Sequence, residues 1–82
     1  MSQELNNQLT KTSDLGLASV INIYSPLVKL SRADIRRVEF VFHKTPEIET
    51  LIRQYWQRAL SIEPQAYFQS MKTLKSRIYG NE

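Results

Sequence analysis

Apolar residues recur with helical spacing in three stretches of this chain, and two strand-like runs lie between the first and second of them. Leu17, Ile21 and Tyr24 fall at i, i+4 and i+7, with Leu15, Ala18 and Val20 beside them. One face of a helix repeats this way, so the first helix is predicted here. Thr12-Ser13-Asp14 opens it, because a hydroxyl or carboxylate at that point accepts a bond from an orphan N–H of the first turn. Ser25-Pro26 ends it, since proline disfavours the helical conformation in the residue before it. Gly16, Val20, Ile21 and Ile23 are weak helix formers, so packing rather than propensity must hold this element.

Leu27-Val28-Lys29-Leu30 reads as a short strand. Val38-Glu39-Phe40-Val41-Phe42 is the clearest strand in the chain, with Val38, Phe40 and Phe42 on one face. Residues 31–37 turn the chain back between them. Parity pairs Leu30 with Val38 and Val28 with Phe40. It sets Lys29 opposite Glu39 and Arg32 across from Arg36.

The second helix has the fullest signature. Thr45 is placed to cap it, Pro46 sits at its first position, and Glu47 and Glu49 complement its positive end. Ile48, Leu51, Ile52, Tyr55, Trp56 and Ala59 make its apolar stripe, and Glu49 with Arg53 an i,i+4 pair. Ser61-Ile62-Glu63-Pro64 breaks the chain and starts a third helix. Its core stripe is Tyr67, Met71, Leu74 and Ile78, and Gly80 is placed to end it as a C′ residue.

The element order is therefore α-β-β-α-α. A lone hairpin is marginal in water, so it must lay its apolar face on the helices. The prediction is a small two-layer α+β domain, an antiparallel β-hairpin packed on three helices, over residues 13–80. Residues 1–12 hold only Leu5 and Leu9 among polar neighbours and are predicted to be a disordered polar tail. The expected core is Leu17, Ile21, Tyr24, Val28, Leu30, Val38, Phe40, Phe42, Ile48, Leu51, Ile52, Tyr55, Trp56, Phe68, Met71, Leu74 and Ile78.

At 82 residues, 41% of them apolar, there is room for one core and no separate cofactor and substrate domains. No apolar run approaches the ~20 residues of a membrane span, and Met1 to Asn6 lacks a secretory pattern. With zero Cys there is neither a disulfide framework nor a thiolate metal site. A cytoplasmic protein without a membrane partner is expected.

The net charge of +3 is not spread evenly. Residues 29–44 carry Lys29, Arg32, Arg36, Arg37 and Lys44 against Asp34 and Glu39, which matches the whole excess. A solvated turn accounts for such a cluster, and so does an anion or partner site, since guanidinium forks suit phosphate and carboxylate. On the third helix Phe68, Lys72, Lys75 and Tyr79 share a stripe at i, i+4, i+7 and i+11. Aromatics interleaved with lysines can stack bases while neutralising phosphates; they can also cap a core while the lysines snorkel over it.

Catalytic chemistry is harder to find. His43 is the one histidine, predicted to point away from the core, and there is no second His or Cys to build a transition-metal site with it. Gly16 and Gly80 are the only glycines, so no phosphate-cradling loop is legible. Glu47 and Glu49 point in different directions on their helix. No catalytic, cofactor-binding or metal-binding residues are assigned, no small-molecule substrate is evident, and an enzyme is not expected.

Thr12-Ser13-Asp14 opening a helix, a hairpin ending in Val38-Glu39-Phe40-Val41-Phe42, the Thr45-Pro46-Glu47-Ile48 start and the final Leu74-Lys75-Ser76-Arg77-Ile78-Tyr79 also occur together elsewhere. From Thr12 to Tyr79 the chain resembles a family of short bacterial domains of unknown function, common in cyanobacteria. It departs from that pattern at Ser25-Pro26, where a glycine-containing turn is expected. The resemblance implies the element order and no activity.

Two functional readings follow. The first is a small protein-binding, adaptor or regulatory module using the hairpin edge and basic turn as its contact surface, with a protein partner or a homodimer. The alternative is a nucleic-acid-binding accessory protein using Arg32, Arg36, Arg37 and the third-helix stripe.

Overall fold

A computed structural model of the chain describes residues 8–34 and 37–80. The elements run β1 (Leu9–Thr12), α1 (Leu15–Tyr24), β2 (Lys29–Asp34), β3 (Arg37–His43), α2 (Pro46–Trp56) and α3 (Pro64–Tyr79). This is a small α+β domain. Among the described residues the antiparallel sheet has the order β1-β3-β2.

The first strand corrects the expected disordered tail. Leu9–Thr12 pairs with β3 in the register Leu9↔His43, Thr10↔Phe42, Lys11↔Val41 and Thr12↔Phe40. The Lys44 N–H continues the ladder to the Gln8 carbonyl at 3.0 Å. Four residues with a single leucine cannot order themselves, but the edge of β3 offers unpaired N–H and C=O groups that they satisfy. Residues 1–7 lie outside the described residues. The strand β3 is thus central, and β1 and β2 are the edges.

The hairpin register is also corrected. Leu30 faces Phe40, Lys29 faces Val41 and Ser31 faces Glu39, with an irregularity before Asp34↔Arg37. From Lys29 to Ser31 the shift from the expected pairing is two residues, so Leu30 and Phe40 keep their predicted face. It removes the Lys29–Glu39 pair. Lys11 Nζ approaches Glu39 Oε1 instead, at 3.9 Å, from the diagonal position on β1.

Phe40 and Phe42 join Leu17, Ala18 and Ile21 of α1, Ile48 of α2 and Leu74 of α3 in the buried core. All three helices therefore cover one face of the sheet. Helix α1 packs against both α2 and α3, and its residues Leu17 to Ile21 are buried without a break. A helix apolar all round belongs in the middle of a layer.

The caps follow the sequence. The Asp14 carboxylate accepts the Leu17 N–H at 3.0 Å, Thr45 Oγ1 accepts the Ile48 N–H at 3.1 Å, and Pro46 and Pro64 open their helices. Glu63 accepts from the Gln65 and Ala66 N–H groups. Helix α2 stops sooner than its apolar spacing suggests. Arg58 adopts a left-handed φ of 59°. Its N–H bonds the Tyr55 carbonyl while the Ala59 N–H bonds that of Gln54. That pattern is a Schellman closure, with arginine where glycine is usual. Gly80 ends α3 at φ −84°, not in the left-handed form. A Cβ there would meet the Ser76 carbonyl oxygen at 2.8 Å.

Four expected core residues are exposed: Tyr24, Val28, Trp56 and Phe68. At about 100° per residue, Trp56 lies ~80° from Ile48, off the buried line of α2, and its helix ends there. It is 60% exposed and rests edge-on against Tyr55, with ring centroids 5.0 Å apart. Val41 is 2% exposed on the face turned away from the helices, between Lys11 and Lys29 in the register.

Candidate interaction surface

The hairpin cations do not form one free cluster. Arg32 Nη2 donates to the Ile78 carbonyl at 2.9 Å, which docks β2 on the last turn of α3. A cation there also suits the negative end of the helix. Arg37 Nε donates to Ser13 Oγ at 3.4 Å, tying β3 to the start of α1. Lys44 Nζ sits 3.4 Å from Glu49 Oε2, so Glu49 pairs with Lys44 and not with Arg53 as the helical spacing suggested. Arg53 reaches Thr50. Lys29 is exposed on the open sheet face, beside His43, which is also exposed. Arg36 and Ile35 lie outside the described residues.

The third-helix stripe, by contrast, is assembled as its spacing predicts. Phe68, Lys72, Lys75 and Tyr79 are all exposed, in line along the side of α3 turned from the core. Phe68 is 60% exposed and Tyr79 79%. Lys72 Nζ stands 5.4 Å from the centre of the Phe68 ring, within cation–π range. Beside the stripe, Gln69, Thr73, Ser76 and Arg77 complete an open polar depression with Lys72. The whole helix holds Lys72, Lys75 and Arg77 and no carboxylate.

The opposite side of α3 is a hydrogen-bonded seam. Ser70 Oγ donates to the Ser19 carbonyl at 2.7 Å and accepts from Asn22 Nδ2 at 3.2 Å. Asn22 Oδ1 in turn accepts the Leu27 N–H at 3.2 Å. Ser19 Oγ donates to the Leu15 carbonyl at 2.8 Å. Both serines are buried, and small side chains here let the two helices approach closely.

A second polar cluster joins residues whose spacing offers no reason to group them. The Tyr55 hydroxyl donates to Asp14 Oδ1 at 3.2 Å. It lies where a Cβ on Gly16 would be 2.5 Å away, and the Tyr67 hydroxyl lies 3.3 Å from that same point. Burial first, then the Asp14 charge and hydrogen bond and the nearby Tyr67, push the Tyr55 phenol above its usual range. A phenol held protonated on a carboxylate that already caps α1 is a structural lock. Glycine in the first turn of a helix was the one local signal of it.

Among the described residues no group of three His, Asp or Glu side chains is arranged to hold a metal ion, and no helix is long and apolar enough to cross a membrane. Residues 7–80 match the family described as a domain of unknown function, DUF5659. The chain belongs to the DUF5659 family. Nothing similar is found among curated proteins or solved structures. What a DUF5659 domain does must therefore be argued from its surface.

Proposed function

We propose that this DUF5659 domain is a small non-enzymatic binding module of the cytoplasm, an adaptor or regulator, and that its contact surface is the outward stripe of α3. One observation carries the reading: two large aromatic rings stand mostly in water at either end of a lysine pair, on a helix whose other side is firmly docked. Exposed aromatics of this size are an unspent source of contact energy, and Tyr and Phe recur at binding surfaces. The hairpin is the weaker candidate, because Arg32, Arg37 and Lys44 each already hold a partner within the fold.

Affinity capture with purified wild-type, Phe68→Ala/Tyr79→Ala and Lys29→Glu proteins tests this. The α3 double variant is expected to lose the captured macromolecule and the hairpin variant to keep it. Capture indifferent to the double variant would remove α3 as the contact surface.

A further inference from the structure

Resting on α3 as the contact surface, we propose that its occupant is a single-stranded nucleic acid. The sign of the charge comes first. Lys72, Lys75 and Arg77 occupy a helix with no carboxylate, and the Glu63 carboxylate that caps it is engaged by the Gln65 and Ala66 N–H groups. Lys72 and Lys75 lie outside the ion pairs of Lys11 with Glu39 and Lys44 with Glu49. Arg32 adds a further cation at the Ile78 carbonyl. The C-terminal end of a helix is ordinarily its negative pole. Here Arg32 stands at it, with Lys72 and Lys75 along the same helix, and a polyanion is the complementary ligand.

The rings decide which polyanion. Phe68 and Tyr79 are eleven positions apart, about 16 Å at ~1.5 Å per residue, with both lysines between them. An acidic peptide would pair with the lysines and give the rings no role. An apolar protein surface would cover the rings and strand two ammonium groups away from water, which is costly. A single strand takes both, since unpaired bases stack on aromatic rings while the backbone follows the cations. A duplex keeps its bases stacked on one another and offers the rings nothing. Lys72 is poised for the exchange. Its ammonium now rests over Phe68, so a base that stacks there displaces it toward a phosphate.

The test is fluorescence anisotropy of the full chain with labelled oligo-dT, oligo-U and a duplex of equal length, from about 50 to 200 mM salt. Both single strands are expected to bind more tightly than the duplex. With about two phosphates neutralised by Lys72 and Lys75 at a slope of roughly −0.7 each, affinity should fall about seven-fold across that range. Lys72→Ala/Lys75→Ala should flatten the salt dependence. Phe68→Ala/Tyr79→Ala should weaken binding at least ten-fold and leave the salt slope unchanged, because stacking is not a counterion effect. Lys29→Ala should change affinity by less than two-fold. Circular-dichroism melts confirm that each variant is folded. No oligonucleotide bound at the lowest salt, a preference for duplex, or indifference to the ring variant would overturn the inference. If oligonucleotides fail but a protein captured by the wild type is lost with Phe68→Ala/Tyr79→Ala, the α3 surface stands and its occupant is a protein. If both fail, the surface falls too.

Discussion

Helices α1 and α3 meet along one seam, yet they carry opposite burdens. Helix α1 has no charged residue and is buried continuously from Leu17 to Ile21. Helix α3 buries Ser70 and Leu74 and turns Lys72, Lys75 and two exposed rings outward. Their sequences explain the split. Gly16, Val20, Ile21 and Ile23 make α1 a poor helix by itself, so it forms only where sheet and flanking helices enclose it. Gln, Met, Lys, Leu and Arg favour α3, and Pro64 with Glu63 starts it cleanly, so one docked side suffices. A helix that needs little support can leave a face unused by the fold. Stability should therefore reside around α1 and binding on α3.

The most damaging way to probe that division is at the centre of α1. Ile21 is 1% exposed and belongs to the core with Phe40 and Phe42. Ile21→Ala should cost about 2–5 kcal/mol, counting both lost burial and the cavity left behind. That is a large part of the roughly 4–12 kcal/mol expected for a domain of this size. Lys75→Ala on α3 should stay within about 0.5 kcal/mol. Urea unfolding of the two variants measures the contrast, and an Ile21→Ala loss below ~1 kcal/mol would show that α1 is not where the fold is held.

The seam itself ranks next. Ser70→Ala leaves the buried Ser19 carbonyl without its hydroxyl donor and deprives Asn22 Nδ2 of an acceptor. The expected loss is about 1–3 kcal/mol, set mainly by the unmatched polar groups. Because Asn22 also holds the Leu27 N–H ahead of β2, amide exchange at Leu27 should quicken. A Ser70→Ala protein as stable as wild type would mean that the helices are joined by apolar contact alone.

A smaller effect is expected at the Asp14–Tyr55 lock. Burial raises the Tyr55 pKa, aided by Asp14 and Tyr67. The folded state thus favours the neutral phenol. That contribution is fully present below the unfolded value of about 10 and is lost as pH climbs from there through the folded value. Tyr55→Phe should flatten the alkaline limb of stability measured by denaturant midpoints from about pH 8 upward. An unchanged limb would exclude this phenol as its source. Gly16→Ala pushes a methyl into the same hydroxyl. The two substitutions should therefore be non-additive, the double variant losing less than the sum of the single ones.

These contrasts also mark what could be read from the residues in order. Thr45-Pro46, Glu63-Pro64 and the Val38–Phe42 alternation announce their elements because caps and strand parity are local. So is the spacing of Phe68, Lys72, Lys75 and Tyr79, and the stripe was legible as a stripe. The strand β1 was not, because Leu9-Thr10-Lys11-Thr12 has almost no pattern of its own and gains order from β3, some thirty residues away. The hairpin cations looked free for the same reason: the Ile78 carbonyl, Ser13 and Glu49 that occupy Arg32, Arg37 and Lys44 come from other elements. Tyr55 and Asp14 are likewise joined only by the fold.

Trp56 supplies the finest discrimination, because sequence and structure disagree about it outright. Its place in the apolar run of α2 suggests a core indole, whose removal would cost about 3–5 kcal/mol. The structure leaves it mostly in water at the last position of α2. What it would lose on truncation is the edge contact with Tyr55, a contribution on the order of 1 kcal/mol or less. Trp56→Ala should therefore fall near the Lys75→Ala control and far from Ile21→Ala. As the chain's single tryptophan, it should also emit at the long wavelengths of a hydrated indole and be readily quenched by iodide or acrylamide. Blue-shifted, quencher-resistant emission together with a loss of several kcal/mol would place the indole in the core and require α2 to be rotated about its axis. That rotation would swing Tyr55 off Asp14, so the alkaline limb would become independent of Tyr55 in the same protein. The indole and the phenol sit on adjacent residues of one helix. Their two readouts must agree, and a mixed result would show that the end of α2 is frayed rather than turned.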